Sequence, residues 1–260
     1  IPEPVASIES VENLSCFGGN DGQVVVSVAN AAPPLTYSIN GGTPQSSNQF
    51  TNLPAGNHTI EVTDNNGCTD VVSVTITQPD VLSYTTSVTP ASCSGDCDGE
   101  IQIVATGGTM PYQYSSNNGM LFDTNPTISG VCAGVVNLVV KDDNGCLTNS
   151  TVTITEPQGL TATLVATDPT CRDGFDGEVA VTTNGGTPNY LYSADGGTQQ
   201  SGNILTGLNP GDHTIMVEDN NGCTYTETIT LNNPPGIDMT SVATSSNCGF
   251  NNGALNITAS

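Results

Sequence analysis

Tryptophan is absent from the 260 residues, and basic side chains nearly so: Lys141 and Arg172 face 25 aspartates and glutamates, for a formal net charge of −23. Two cations cannot displace the counterions of a phosphate backbone, which excludes nucleic acid as a partner. An anionic lipid surface would repel the chain as well. No stretch approaches the ~20 apolar residues of a membrane span, and no basic n-region opens the sequence, so membrane insertion is not expected. With one lysine, lysine–asparagine isopeptide cross-links cannot be a general device of this chain. Seven tyrosines and five phenylalanines are few for a module that stacks aromatic rings on sugars. No segment keeps a helical period. What remains is Thr, Ser, Asn and Gly around runs of Val and Ile, the composition of short strands and turns. The regular β-branched runs and spaced cysteines argue against disorder, the other reading of an acidic chain poor in aromatics.

The sequence repeats. Cys16, Cys93, Cys171 and Cys248 stand 77, 78 and 77 residues apart, and Cys68, Cys146 and Cys223 stand 78 and 77 apart. Between them the same motifs return in order. Asp21-Gly22, Asp98-Gly99 and Asp176-Gly177 follow the first cysteine; Gly107–Ser115 (GGTMPYQYS) matches Gly185–Ser193 (GGTPNYLYS), with Ala31–Ile39 a looser copy. Then come Leu53–Gly56, Val131–Gly134 and Leu208–Gly211, and finally DNNGC at Asp64–Cys68, DDNGC at Asp142–Cys146 and DNNGC at Asp219–Cys223. Each unit closes on Thr75–Pro79, Thr153–Pro157 or Thr230–Pro234. This spacing predicts repeats over 5–79, 80–157 and 158–234, with 1–4 the tail of a preceding unit and 235–260 the opening of a fourth, a window on a longer array.

Within a unit the pattern has period 2, as a half-buried strand requires. Val24, Val26 and Val28 share a face, as do Leu35, Tyr37 and Ile39, then His58, Ile60 and Val62, then Val72, Val74 and Ile76. Met120–Asp123 reads as an extra strand in the second unit. Asn66-Gly67, Asn144-Gly145 and Asn221-Gly222 predict two-residue type I′ hairpins, whose central residues need φ > 0. The expected fold is all-β: tandem immunoglobulin-like sandwiches of six or seven antiparallel strands, forming an extended rod.

Nine cysteines in so polar a chain point to an oxidising, extracytoplasmic compartment. Two per unit suggests a regular disulfide framework, with Cys97 and Cys132 an additional pair of the second unit. One framework pairs within units: Cys16–Cys68, Cys93–Cys146 and Cys171–Cys223. The other joins each late cysteine to the next early one: Cys68–Cys93, Cys146–Cys171 and Cys223–Cys248. Six alternating strands put Cys16 and Cys68 at one end of a sandwich and seven put them at opposite ends, so strand parity leaves both open. Pairing within units is favoured because it lets a unit fold before its neighbour exists, closing loops of ~50 residues worth roughly 4 kcal/mol each. Zinc is disfavoured, since the Cys93–Cys97 spacing occurs once and without histidines.

The ordered set C…DG, GGTxPYxYS, L-x-A/P-G, V-x-D-x-NGC and TITxP resembles the SprB-type repeat of cell-surface gliding adhesins of Bacteroidota. That resemblance implies a long secreted protein displayed at the cell surface and serving attachment or gliding. Its partners would be neighbouring repeats of the same chain, with surface polysaccharide or other copies of itself as further candidates. The aromatic residue usual after the A/P-G step is replaced by His58, Val136 and His213.

No catalytic constellation emerges. His58 and His213 occupy matching positions, but Val136 holds that place in the second unit, so no general base is required there. Calcium is the one candidate cofactor: Asp21 with Asp64, Asp98 with Asp142 and Asp143, and Asp176 with Asp219 recur near strand ends. The competing reading is that Asp and Asn favour turns. The functional expectation is a non-enzymatic structural or adhesive repeat. An extracellular filament and a carbohydrate-binding accessory module are its rivals.

Overall fold

The computed structural model describes residues 3–260, and all its regular elements there are strands. The chain divides into two compact units: residues up to Pro90 with Asp98–Ile154, and Ala91–Cys97 with Thr155–Ser260. Assignment of residues 1–4 to a preceding repeat falls partly on Ile1 and Pro2, outside the described residues.

The first unit holds two sandwiches. One is built from β1 (Val5–Glu12), β2 (Gly22–Ala29), β3 (Thr36–Ile39), β4 (Gln49–Leu53), β5 (Gly56–Thr63) and β6 (Thr69–Ile76). The other uses β7 (Ser83–Thr89), β8 (Gly99–Thr106), β9 (Gln113–Ser115), β10 (Thr127–Val131), β11 (Gly134–Lys141) and β12 (Leu147–Ile154). The second unit holds the third sandwich, β13 (Thr161–Thr167), β14 (Gly177–Asn184), β15 (Leu191–Ala194), β16 (Ile204–Leu208), β17 (Gly211–Glu218) and β18 (Thr224–Leu231). A fully exposed hairpin follows, β19 (Met239–Thr244) with β20 (Ala254–Ala259). Residues Pro79, Pro157 and Pro234 lie just past β6, β12 and β18, where a missing N–H costs no ladder bond.

Every sandwich has the same two antiparallel sheets: β1-β2-β4 against β3-β5-β6, and likewise for the other two. Named A, B, C, E, F and G in chain order, these are A-B-E and C-F-G, the immunoglobulin arrangement without a D strand. The alternation read from the sequence supplies the core. Val24, Val26, Ile60, Val62 and Ile76 are buried in the first sandwich. Ile101, Ile103, Leu138, Val140 and Ile154 take their places in the second, and Val179, Val181, Ile215, Val217 and Leu231 in the third. Burying each such side chain contributes about 1.5–3 kcal/mol before chain entropy is charged against it. Domains of this size are left with little margin.

The Asp-Gly motif is a packing requirement. Gly22 opens β2 where the ladder to β4 shifts register, and a Cβ there would stand 2.7 Å from Leu53 O and 2.9 Å from Ile76 Cγ2. Gly99 and Gly177 are enclosed in the same way.

Two expectations need correction. Met120–Asp123 forms no strand; Asp123 makes a single bridge to Tyr114, matching the bridges Tyr37–Gln45 and Tyr192–Gln200. Phe122 instead packs near Val139 through Gly119 and lies under Lys141, whose Nζ is 4.4 Å from the ring centre. The hairpin is also not type I′. Gly67 has φ of +81° but Asn66 is not in the positive-φ region. Gly67 N donates to Asp64 O at 3.0 Å and Asp64 N to Cys68 O at 3.0 Å. That is a type I turn closed by a left-handed glycine, the three-residue hairpin with a bulge.

Candidate functional site

The repeated Asp-x-Asn-Gly-Cys hairpin is where the structure concentrates its specific bonds. Asp64, Asp142 and Asp219 are buried, which is costly for a carboxylate unless donors surround it. Asp219 Oδ1 accepts from Asn221 N and Cys223 N, both at 2.9 Å, while Oδ2 accepts from Thr187 N at 2.7 Å. Asp142 accepts from Cys146 N at 2.8 Å and Thr109 N at 2.9 Å. Asp64 accepts from Asn66 N at 2.8 Å, Cys68 N at 2.9 Å and, more weakly, Ala32 N at 3.4 Å. Burial pushes the Asp64 carboxyl up, but the N–H donors of Cys68, Asn66 and Ala32 outweigh it, and it titrates below the ordinary carboxylate range. One side chain thus shapes the F–G hairpin and ties it to the B–C loop. The paired glycines serve the same contact: a Cβ on Gly108 or Gly186 would stand 2.6 or 2.8 Å from the Asp142 or Asp219 carboxylate.

At the other end of the sandwich lies the opening, A–B loop. Asp21 accepts from Ser15 N and Ser15 Oγ, and Asp176 accepts from Thr170 N at 3.1 Å and Thr170 Oγ1. These bonds, the hydroxyl first, hold both carboxyls below their ordinary pKa. Leu14 N donates to Thr77 O at 3.0 Å and Gly18 N to Gln78 Oε1 at 2.8 Å, so the loop sits beside the chain's exit from β6.

Strand register fixes which loops share an end. Glu12 faces Gln23, Gly22 faces Leu53, and Gly56 faces Ile76, which gathers the A–B loop, the E–F loop and the exit at one end. Thr63 faces Thr69 and Thr36, putting the F–G hairpin and the B–C loop at the other. Between β3 and β4 the chain runs back along the sandwich, marked by the Tyr37–Gln45 bridge. This return leg supplies the seventh pass that decides the parity. Cys16 and Cys68 are therefore separated by the length of an eight-residue strand, roughly 25 Å. A disulfide needs its Cα atoms within about 7 Å.

Both expected pairings are overturned. Cys16 is bonded to Cys146 and Cys93 to Cys223, each with Cα atoms 5.7 Å apart and each 130 residues apart in sequence. An opening-loop cysteine joins the hairpin cysteine of the following repeat. Bonds within a repeat fail on distance. The late-to-next-early alternative fails because the hairpin lies at its repeat's entry end, with the B–C loop, and meets what precedes it. Cys97 and Cys132 are also disulfide-bonded. Cys68, Cys171 and Cys248 are free thiols.

A hydrogen bond accompanies each bridge. Asn144 Nδ2 donates to Ser15 O at 2.9 Å and to Thr109 Oγ1 at 3.1 Å. Asn221 Nδ2 donates to Ser92 O at 2.9 Å and to Thr187 Oγ1 at 3.0 Å. The motif's asparagine thus fastens the carbonyl next to the bridged cysteine, a role the turn reading did not anticipate.

The aspartate pairs considered for calcium do not come together within a repeat. Asp21 and Asp64 lie at opposite ends of the first sandwich, as do Asp176 and Asp219 of the third. Their oxygens accept from backbone N–H groups and hydroxyls. Among the described residues, no three His, Cys, Asp or Glu side chains converge as a metal would need.

His58 and His213 are buried beside the E–F loop. His58 Nε2 bonds Pro54 O at 2.9 Å and its Nδ1 accepts from Asn40 Nδ2 at 3.0 Å, an arrangement for the neutral ring. His213 bonds Asn209 O through Nε2 and Asp195 Oδ2 through Nδ1, both at 2.7 Å. Two acceptors call for two N–H donors, the imidazolium. Burial pulls the His213 pKa down, yet the bonds to Asn209 and Asp195 carry it above 6.5 overall. Asp195 moves below 3.8, chiefly through its bond to His213. A raised histidine pKa adds stability that is complete below the unfolded value and is lost as pH rises through the folded one. The Asp195 contribution is lost at the acid end, as pH falls through its folded pKa. Hydrogen-exchange protection of β17 should therefore be higher at pH 5.5 than at pH 8.5, and Asp195→Asn should flatten that difference. Equal protection of the unmodified chain at both values would refute the assignment.

Residues 8–44, 85–121 and 163–199 match the SprB repeat family. The SprB repeat is thus detected in three segments of the chain. Each match covers most of the A strand and the B and C strands and stops before the hairpin cysteine, so each inter-repeat bond has its opening-loop cysteine inside a matched segment and its hairpin cysteine outside. No curated protein is detectably similar in sequence. Among solved structures, titin domains I67–I69 align with 14% identity over 89% of this chain and 99% of that one, at a TM-score of 0.37. Invasin, a bacterial integrin-binding protein, aligns with 14% identity over 88% of this chain and 60% of its own, at 0.35. The four N-terminal immunoglobulin domains of Dscam1 isoform 9.44 align with 12% identity, over 89% and 72%, at 0.27. At such scores the fold of the SprB repeats rests on their strand order. No helix of the described residues is long and apolar enough to cross a membrane.

Proposed function

We propose that this segment is a non-catalytic structural repeat of a secreted cell-surface protein, working in attachment and gliding through surface display of a covalently linked array. The observation that carries this reading is the Cys16–Cys146 bridge, which binds one SprB repeat to the next. Such bonds persist in an oxidising compartment and suit a chain that must bear tension outside the cell. The residues with chemical potential are already employed by the fold: both ring nitrogens of His58 and His213 have partners, and the hairpin aspartates hold backbone N–H groups. An array of this kind needs the same site in every repeat, and the hairpin aspartate is the one that all three share. Surface polysaccharide or other copies of the protein would be the attachment partners.

The test uses cells that make the parent protein. Antibodies raised against this segment should label intact cells, and a parent lacking residues 80–157 should still be displayed. Labelling confined to permeabilised cells would sink surface display. Unchanged attachment and gliding after loss of all three repeats would sink the adhesive role.

A further inference from the structure

The return leg between the third and fourth strands of each sandwich keeps one backbone course, but in the second repeat it loses one side chain. Tyr37 bridges Gln45, Tyr114 bridges Asp123 and Tyr192 bridges Gln200. Three residues further on, Asn48 O accepts from Val26 N at 3.0 Å, Pro126 O from Ile103 N at 2.9 Å and Asn203 O from Val181 N at 2.9 Å. In the first and third repeats the bridging glutamine folds its amide back onto this turn. Gln45 Nε2 donates to Ser47 O at 2.9 Å and Gln49 O at 2.8 Å, and Gln200 Nε2 to Gly202 O at 2.8 Å and Ile204 O at 2.7 Å. One nitrogen serving two carbonyls means that their oxygens converge on a point. In the second repeat the corresponding oxygens are Asn125 O and Thr127 O, and Asp123 has no N–H to offer them. Its Oδ1 accepts from Asn125 N at 3.0 Å; among the described residues no side chain donates to its Oδ2 or to either carbonyl. A cavity of about 460 Å³ lies here, lined by the polar Asp123, Asn125 and Thr127 and by the apolar Leu121, Phe122 and Ile128.

We infer that this cavity binds the lysine side chain of a basic protein segment. A primary ammonium carries three N–H donors, and three oxygens here lack a side-chain donor: Asp123 Oδ2, Asn125 O and Thr127 O. The carboxylate sets an ammonium above a neutral amide or a sugar hydroxyl, because its hydrogen bonds to a cation are charge-assisted. Converging oxygens suit the compact ammonium better than a guanidinium, whose donors are spread in a planar fork. Leu121, Phe122 and Ile128 supply an apolar wall for the four-carbon stem. A polyamine would bring a second charge against that wall, whereas the exposed Met120 and Leu121 suit a peptide laid across the mouth. The chain's one lysine, Lys141, is engaged over Phe122 and does not line the cavity, so the ammonium comes from a different protein. A net charge of −23 draws basic partners toward the surface. The site works whether or not the array adheres to polysaccharide.

The experiment titrates the whole isotope-labelled chain with the peptide acetyl-Gly-Lys-Gly-amide and follows backbone amide shifts. Salt at about 0.1 M screens diffuse attraction beyond ~10 Å. Shifts should concentrate in residues 117–128, around the cavity, and saturate with a Kd of about 1 mM or lower. Acetylating the lysine Nζ should weaken binding at least about tenfold, and Asp123→Asn roughly 10–100-fold, the range for a hydrogen bond to a charged group. Asp123→Gln installs the residue that the first and third repeats carry at this bridge. It should abolish binding while β10 stays as protected from hydrogen exchange as in the parent. Absence of saturable shifts, or shifts spread over the whole acidic surface, would overturn the proposal. So would equal binding of the acetylated peptide, binding undiminished by Asp123→Gln, or spermidine binding as tightly as the lysine peptide.

Discussion

Stretched between handles at Glu3 and Gln158, the oxidised chain should reach a fully extended length about 450 Å shorter than the same chain in reductant. The Cys16–Cys146 bond takes the intervening 130 residues out of the loaded path, and an extended residue spans about 3.5 Å. The Cys93–Cys223 bond does not alter this comparison, because Cys223 lies outside the handles. With Cys97 and Cys132 also replaced by Ser, Cys16→Ser should give the long extension without reductant. Equal lengths in both conditions would mean that the bridge is absent. The same loop length gives the bridge roughly 5 kcal/mol of unfolded-state restriction in the chain-entropy treatment, so loss of cooperative melting on reduction should accompany the length change.

Asp219→Ala should unfold the third repeat at a midpoint lower by roughly 10–30 °C. The substitution leaves the N–H groups of Thr187, Asn221 and Cys223 without their acceptor. Unsatisfied donors of this kind cost about 1–3 kcal/mol each, partly relieved by water at the hairpin, for a net loss of about 2–4 kcal/mol. For a domain of this size each kcal/mol moves the midpoint by about 4–8 °C. Asp219→Asn should recover part of the loss, since one of its two polar atoms still accepts. The readout is calorimetry of the oxidised chain, with the other two repeats as internal reference. A midpoint within 3 °C of the parent would show that the carboxylate is dispensable.

The period-2 runs around Val24–Val28 and His58–Val62 carried the sandwich, because a strand with one buried face cannot hide its alternation. The cysteine pairing was not legible. A repeat of 77 or 78 residues makes every pairing rule equally regular, so spacing alone cannot choose among them. The deciding quantity is the number of passes the chain makes between Cys16 and Cys68. It hangs on Asn40–Asn48, a return leg that shows one bridge and no alternating pattern. The aspartate of the hairpin was visible as a motif but read as a strand ending or a metal ligand. Its partners in the B–C loop lie about thirty residues away, beyond any local pattern. The asparagine was read for its backbone, whereas its amide works on another repeat.

The 130-residue reach of each bridge also sets a timetable. As the chain is made, Cys16 has no native partner until Cys146 has followed and its hairpin has folded. At about 5–20 residues per second that interval is on the order of ten seconds. Cys68 arrives much sooner and would be the first wrong partner offered. Once the first sandwich has folded, Cys68 stands at the far end from Cys16, out of bonding reach. Folding of the first sandwich thus removes the nearest wrong partner, and the first and second repeats are each bonded to the one made after them.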